Sequence, residues 1–160
     1  MSPENPYFYN NEPKNLESDA ASRLSDLAEN GKFEPHPNPK LAAVGIEVLH
    51  LTPEQIPANL KALVPEGYQS YYFGIVRAQE IPQHLHTEDG EIYLLLEEGE
   101  NPINVTVVEQ DGESRTDSLQ KANDHSVAMP DQSHFIDQRE NKFTIFSIKF
   151  KPDVAETATT

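Results

Sequence analysis

Residues 81–99, IPQHLHTEDGEIYLLLEEG, combine two histidines, a turn and a carboxylate that opens an apolar strand. In an extended strand, residues i and i+2 share a face and lie about 6.6 Å apart, so His84 and His86 can lean toward one point. Thr87 to Gly90 have turn chemistry, and the returning strand can bring Glu91 to the same interior. The segment therefore predicts two neighbouring strands with metal-ligating side chains on one face.

The chain from residue 41 onward consists of short segments rich in Val, Ile, Tyr, Phe and Thr that alternate with turn residues. Strands are predicted at 42–51, 68–79, 91–97, 103–109, 113–118, 125–129, 134–138 and 143–150. Asp111-Gly112 predicts a hairpin between two of them. The last strand is apolar at both alternating sets of positions, which indicates cover on both faces by the N-terminal arm or a second subunit. The pattern favours an all-β sandwich or barrel.

The N-terminal 40 residues differ from the rest of the chain. Leu24, Leu27 and Ala28 recur at helical spacing and predict a short helix over 19–29. Three prolines between positions 34 and 40 predict an extended linker after it. We therefore expect a helical arm over 1–40, one β domain over 41–152 and a frayed tail over 153–160.

Composition narrows the classes of partner. The chain has 160 residues, with 12 basic and 27 acidic side chains and a net charge of −15. Nucleic acid and anionic membrane surfaces would repel such a protein, so neither is an expected partner. There is no cysteine, and any metal must therefore be held by nitrogen and oxygen. No signal-like segment or run of 18 apolar residues is present, which predicts a cytoplasmic protein.

A third imidazole follows a proline-led turn in AMPDQSHFIDQ, residues 128–138. With His84, His86 and Glu91, His134 would complete a site of three nitrogens and one carboxylate oxygen. Such a site suits one divalent ion of iron, manganese, nickel, zinc or copper, whereas calcium prefers more oxygen ligands. Two other interpretations remain open: a surface His-x-His pair, and buried histidines that are only hydrogen-bonded.

These residues resemble the motifs of the cupin superfamily. The first motif, G-x5-H-x-H-x(3,4)-E-x6-G, matches His84, His86 and Glu91, with Gly99 one residue late. The second, G-x5-P-x-G-x2-H-x3-N, is matched by Pro130 through His134 with one residue fewer. Four other positions of the two motifs differ. Ala78 replaces the leading glycine of the first motif; in the second, Asp124 replaces the leading glycine, Gln132 the turn glycine and Gln138 the asparagine, the last after a one-residue shift. The resemblance covers about 41–150 and implies a double-stranded β-helix, a jelly-roll barrel with its metal inside.

The resemblance also implies an activity on a small organic molecule. It offers dioxygenase-type oxidation, or redox-neutral isomerase or lyase chemistry on a sugar or small acid, in which Glu91 or Tyr93 would be the base. The non-enzymatic alternative is a module that binds a small molecule or metal without turnover. Tyr93 shares the face of Glu91 by strand alternation. Further candidate pocket residues are Tyr72, Arg77, Gln83 and Gln138, and a homodimer is a further expectation.

Overall fold

The computed structural model describes residues 8–9, 20–85, 88–96 and 101–153; the side chains of residues 8, 9, 84 and 85 lie outside this description. Most of the predicted arm before residue 20, the tail after residue 153, and the positions of His86, Thr87 and Gly99 are also outside it. The described strands are β1 (Phe8–Tyr9), β2 (Glu34–Pro35), β3 (Glu47–Leu51), β4 (Tyr68–Ala78), β5 (Ile81–Leu85), β6 (Gly90–Leu95), β7 (Ile103–Val108), β8 (Ser114–Leu119), β9 (His125–Ala128), β10 (Ser133–Ile136) and β11 (Phe143–Pro152). The described helices are α1 (Ala20–Asn30), α2 (Pro39–Ala43) and α3 (Ala58–Lys61), with a 3-10 turn at Pro53–Gln55.

The strands form two antiparallel sheets. The larger has the order β1-β9-β6-β11-β4-β3-β2, and the smaller has the order β5-β10-β7-β8. The hairpin predicted at Asp111-Gly112 joins β7 to β8, and Gly112 takes a φ of 96°, a left-handed conformation that favours glycine. The all-β prediction is confirmed. From β4 onward, consecutive described strands lie in opposite sheets, except for β7 and β8.

Two apolar clusters hold the molecule together. One lies between the sheets, where Val105 and Ile136 of the smaller sheet pack with Val76 and Ile145 of the larger. The other lies on the outer face of the larger sheet, where Leu24 of α1 and Leu60 of α3 pack on the opposite side of β4 and β11. The two-faced cover predicted for the last strand is therefore present, and helices of the same chain provide it.

Two differences from the predicted strands have structural reasons. The first strand of the β domain begins at Glu47 instead of residue 42, because α2 occupies Pro39–Ala43. A helix tolerates proline at its first position, and the Asn38 side chain accepts a hydrogen bond from the Lys40 amide at its N-terminus. β5 is missing from the predicted strand ranges, although the metal-ligand role of His84 and His86 assumes an extended strand there; its Pro82 is tolerated because β5 lies at the sheet edge.

A buried polar cluster joins the two sheets at one edge. Asp117 of β8 accepts hydrogen bonds from Arg115 (3.1 Å) and from Ser126 of β9 (2.6 Å). Arg115 also donates to the Val127 carbonyl oxygen at 2.5 Å. Side chains of β8 in the smaller sheet thus form hydrogen bonds with β9 of the larger sheet where the two sheets meet. Among the described residues, no helix has the length and apolar character needed to cross a lipid bilayer.

Candidate metal centre

Glu91 and His134 meet inside the barrel although they lie on different sheets. Nε2 of His134, on β10, is 3.1 Å from Oε1 of Glu91, on β6, and both side chains are buried. The second carboxylate oxygen accepts a hydrogen bond of 2.5 Å from the Ser147 hydroxyl on β11. Burial of a carboxylate is costly without such partners. The three residues therefore fix the carboxylate in one orientation beside an imidazole.

Position 84 is in register with this pair. His84 is the residue directly opposite His134 in the antiparallel ladder of β5 and β10. The ladder shifts register between His134 and Ile136, so a bulge adjoins the pair. Among the side chains that the structure describes, no group of three or more His, Cys, Asp or Glu residues could hold a metal. The side chain of His84 and all of His86 are outside that set.

Tyr93 packs against His134. Their rings are stacked with centroids 4.5 Å apart and an interplanar angle of 6°. Alternation along β6 puts Tyr93 on the face of Glu91, as predicted, and its hydroxyl hydrogen-bonds to that carboxylate. Burial, followed by the nearby negative charge of Glu91, raises the pKa of Tyr93 well above its usual value. In this arrangement the phenol is a proton donor held on the carboxylate.

The turn that leads to His134 uses different residues from the resembled motif. Asp131 takes the left-handed conformation, with a φ of 75°, next to the position where the motif has glycine. Gln132 closes the turn: its Oε1 accepts from the Met129 amide at 2.7 Å, and its Nε2 donates to Glu109 at 2.7 Å. An aspartate and a buried glutamine thus replace the turn glycine, and His134 still points into the interior.

A cavity of about 500 Å³ opens onto Glu91, the carboxylate of this pair. Its lining includes Glu91 and Tyr93 together with two of the predicted pocket residues, Tyr72 and Gln83. Gln83 is exposed at the rim and donates a hydrogen bond of 2.8 Å to Ser133, the neighbour of His134. The cavity is therefore continuous with the candidate ligands and large enough for a small organic molecule.

Two predicted pocket residues lie elsewhere. Arg77 projects from the outer face of β4, where its guanidinium carbon is 4.0 Å from the Phe33 ring centroid. Tyr72 and Arg77 are five positions apart, so regular alternation puts them on opposite faces. Gln138 is exposed and follows the end of β10 at Ile136, so the alternation that would turn it inward stops before it. Neither residue is part of the cavity lining.

Ser147, Lys149 and His50 line the cavity but were not among the predicted pocket residues. The sequence left the face of Lys149 open, and His50 was expected to face solvent or to be satisfied in the core. Ser147 was the easiest to find, because a hydroxyl within the otherwise apolar run FTIFSIKF of a strand covered on both faces needs a buried partner. The positions of Lys149 and His50 depend on the register of β3, β4 and β11, which no local pattern reveals.

No family model matches the sequence, and no curated protein matches it. Solved structures do match the fold. A Pseudomonas putida prolyl-4-hydroxylase superposes with a TM-score of 0.68 at 13% identity, over 92% of this chain and 93% of that one. The cupin domain of Schizosaccharomyces pombe Cnp3 gives 0.51 at 10% identity, over 82% and 76%. The chain has a cupin fold.

A third match is an oxidoreductase of the 2OG-Fe(II) oxygenase family from Burkholderia pseudomallei, with a TM-score of 0.58 at 14% identity, over 88% of this chain and 82% of that one. At such identities the likeness concerns the cupin barrel alone. The donor chemistry of this barrel fits a divalent transition metal: a buried imidazole contacts a buried carboxylate that lines the cavity, and a second histidine position is in register with the first.

Proposed function

We propose that this chain is a metal-dependent cupin enzyme that acts on a small organic molecule. The ligands of its single divalent ion would be His84, His86, Glu91 and His134. The observation that supports this most is the buried Glu91–His134 pair, which brings together a carboxylate and an imidazole from two sheets, with Glu91 at the wall of a cavity. When bound, the metal would supply Lewis-acid polarisation or oxygen activation.

Strand register supports His84 as a ligand, and sequence spacing supports His86. In an antiparallel ladder, directly opposed positions lie on the same face of the sheet, and His84 is opposite His134. His86 is two positions further along the chain, the spacing that returns to the same face. Three neutral imidazoles and one carboxylate leave coordination positions for substrate, which distinguishes a catalytic site from a closed structural one.

The chemistry we propose first is of the dioxygenase type, because a neutral set of three histidines tolerates redox cycling of the metal. Redox-neutral isomerase or lyase chemistry is the second candidate. It is favoured by the Tyr93 hydroxyl, which is hydrogen-bonded to Glu91 and could move a proton to or from a substrate at that point. A non-catalytic role in binding a small molecule or metal is the third. Cytoplasmic location and a homodimer stay predictions from the sequence.

The proposal is tested on protein purified without chelators. Metal content is measured by mass spectrometry, and oxygen consumption is screened with panels of small phenols, organic acids and sugars. We expect bound metal, and oxygen uptake or substrate isomerisation that is lost in Glu91→Gln. Lys142→Gln, an exposed change on the outer surface, is the matched control. Full metal loading with no turnover of any panel member would favour the binding role, and absence of metal affinity would refute the proposal.

A further inference from the structure

A row of polar side chains crosses the inner face of the larger sheet beside the candidate ligands. Lys149 of β11 is paired with Tyr72 of β4 on one side and with Glu91 of β6 on the other. All three residues line the cavity. Directly opposed positions have Cβ atoms about 5 Å apart. Tyr72 and Lys149 therefore form a group one strand away from the carboxylate that would bind the metal.

A bulge in β4 creates this row. Phe150 is paired with Ser70, but Lys149 is paired with Tyr72, so Tyr71 is an additional residue in the strand. Tyr72 then extends over Gly74, where an added Cβ would collide with the tyrosine hydroxyl. This path brings the hydroxyl to His50 of β3, whose Nδ1 is 2.7 Å away. A bulge and a glycine are thus both needed to place the phenol at the cavity.

Lys149 is half-buried, and its Nζ lies 5.3 Å from the centroid of the Tyr72 ring. Lysine side chains are seldom removed from solvent unless they are paired. The Tyr72 ring partly stabilises the Lys149 ammonium through a cation–π contact. Lys40, at the start of α2, lines the same cavity. The described lining therefore contains two lysines and one carboxylate, Glu91, whereas the whole chain has 12 basic and 27 acidic residues. The local charge is opposite to that of the whole protein.

We propose that Lys149, Tyr72 and His50 bind the anionic group of a short organic anion whose other end reaches Glu91. The inference rests on the proposed function in one respect: when Glu91 binds the metal, the Lys149 ammonium is available to interact with the ligand. Lysine contributes a point charge suited to a carboxylate or a phosphate. When Nδ1 of His50 carries the proton, it donates to the Tyr72 oxygen, and the phenol proton is then directed to the anion.

The protonation state of Tyr72 agrees with this role. Burial, and next the charge of Glu91, raise the pKa of Tyr72 to about 12. The phenol is therefore a neutral donor at physiological pH and does not repel an anion. Lys149 and Glu91 lie on adjacent strands. The substrates we expect are therefore short molecules in which only a few bonds separate the charged group from the reacting atoms.

The test uses three probes: glutarate, its neutral diamide glutaramide, and inorganic phosphate. Binding is followed by NMR shifts of the lysine and histidine side chains, in protein as purified and after chelator treatment. We expect glutarate or phosphate to bind at least about tenfold more tightly than glutaramide. Lys149→Met should remove this preference and leave glutaramide binding unchanged. Tyr72→Phe should lower anion affinity about threefold to tenfold.

Lys151→Met is the matched control, because Lys151 is exposed on the same strand and lies over Tyr71 outside the cavity lining. It should leave the preference intact. The comparison of glutarate with phosphate distinguishes the two anion chemistries. Equal affinity for glutarate and glutaramide, or an unchanged preference in Lys149→Met, would overturn the inference. Because Lys149→Met leaves the metal ligands in place, metal content reports on the proposed function separately.

Discussion

Nε2 of His134 and Oε1 of Glu91 are 3.1 Å apart, although 43 residues separate them in the sequence and they belong to different sheets. The contact exists because closure of the barrel brings the inner faces of β6 and β10 together. A buried imidazole in contact with a buried carboxylate that lines a cavity is an arrangement that a metal ion can use. The proposed metal site depends on this contact between Glu91 and His134.

Tyr93→Phe separates proton transfer from metal binding. The substitution keeps the ring that stacks on His134 and removes only the hydroxyl that hydrogen-bonds to Glu91. We expect metal content to stay the same, while turnover falls by about 10²-fold or more if the phenol transfers a proton. Metal analysis and steady-state kinetics of the substrate found by the screen measure the two effects. Tyr68→Phe, on the outer face against Phe150, is the control. Undiminished turnover in Tyr93→Phe would exclude the proton-transfer role.

Gly90→Ala tests the packing at the start of β6. A Cβ there would collide with the Phe150 ring and lie 2.5 Å from the Ala128 carbonyl oxygen, and neither the backbone nor the buried ring can easily move away. We expect the free energy of unfolding to fall by about 1–3 kcal/mol, measured by urea denaturation. Gly74→Ala meets only the tip of Tyr72, so its cost should be smaller. A larger loss in Gly74→Ala than in Gly90→Ala would contradict this packing.

His125 gives the stability of the protein a specific dependence on pH. Burial lowers the pKa of His125, and this outweighs the opposing effects of its hydrogen bond to Asn123 and of the charges of Asp124 and Asp117. Below about pH 6.5 the unfolded chain therefore binds a proton that the folded protein resists, so stability falls as pH falls. His125→Gln should remove up to about 1.4 kcal/mol of this loss per pH unit.

The measurement is urea denaturation of both proteins between pH 7 and pH 5. Asp117 acts in the opposite direction: burial raises its pKa, so its contribution to stability decreases as pH rises. Because Asp117 is present in both proteins, the difference between them reports mainly on His125. His36→Gln, a half-buried histidine, is the control. Parallel pH profiles of wild type and His125→Gln would show that the imidazole titrates alike in both states.

Local patterns predicted much of this molecule. Alternation identified the shared face of Glu91 and Tyr93, and helical spacing placed α1 within one residue at each end. The features that could not be predicted depend on residues that are far apart in the sequence and adjacent in the fold. The sequence indicated an extended strand at His84 but not its position at a sheet edge, where Pro82 is tolerated. Arg77 and Tyr72 could not be assigned to faces, because both sides of β4 are covered.

The candidate site also combines features that a local pattern predicts with features that depend on residues distant in the sequence. The histidine and glutamate spacing predicted metal ligands within eight positions of sequence, residues 84–91, yet the support for the Glu91 carboxylate comes from Ser147, 56 residues away. The anion-binding group depends on a bulge at Tyr71, which moves Tyr72 into register with Lys149. A bulge is one additional residue in a ladder, and it leaves no periodic signal in a single strand.

Metal stoichiometry after reconstitution tests the central claim most directly. Wild-type protein and the variants His134→Ala and His86→Ala are loaded anaerobically with Fe²⁺ or Mn²⁺, desalted and analysed for metal per chain, with circular dichroism to verify folding. His36→Ala, which removes an imidazole from the cavity lining outside the proposed ligand set, is the control. We expect about one ion per chain in wild type and control, and loss of stoichiometric binding in both ligand variants. Full metal loading of folded His134→Ala, or none in wild type, would contradict the account.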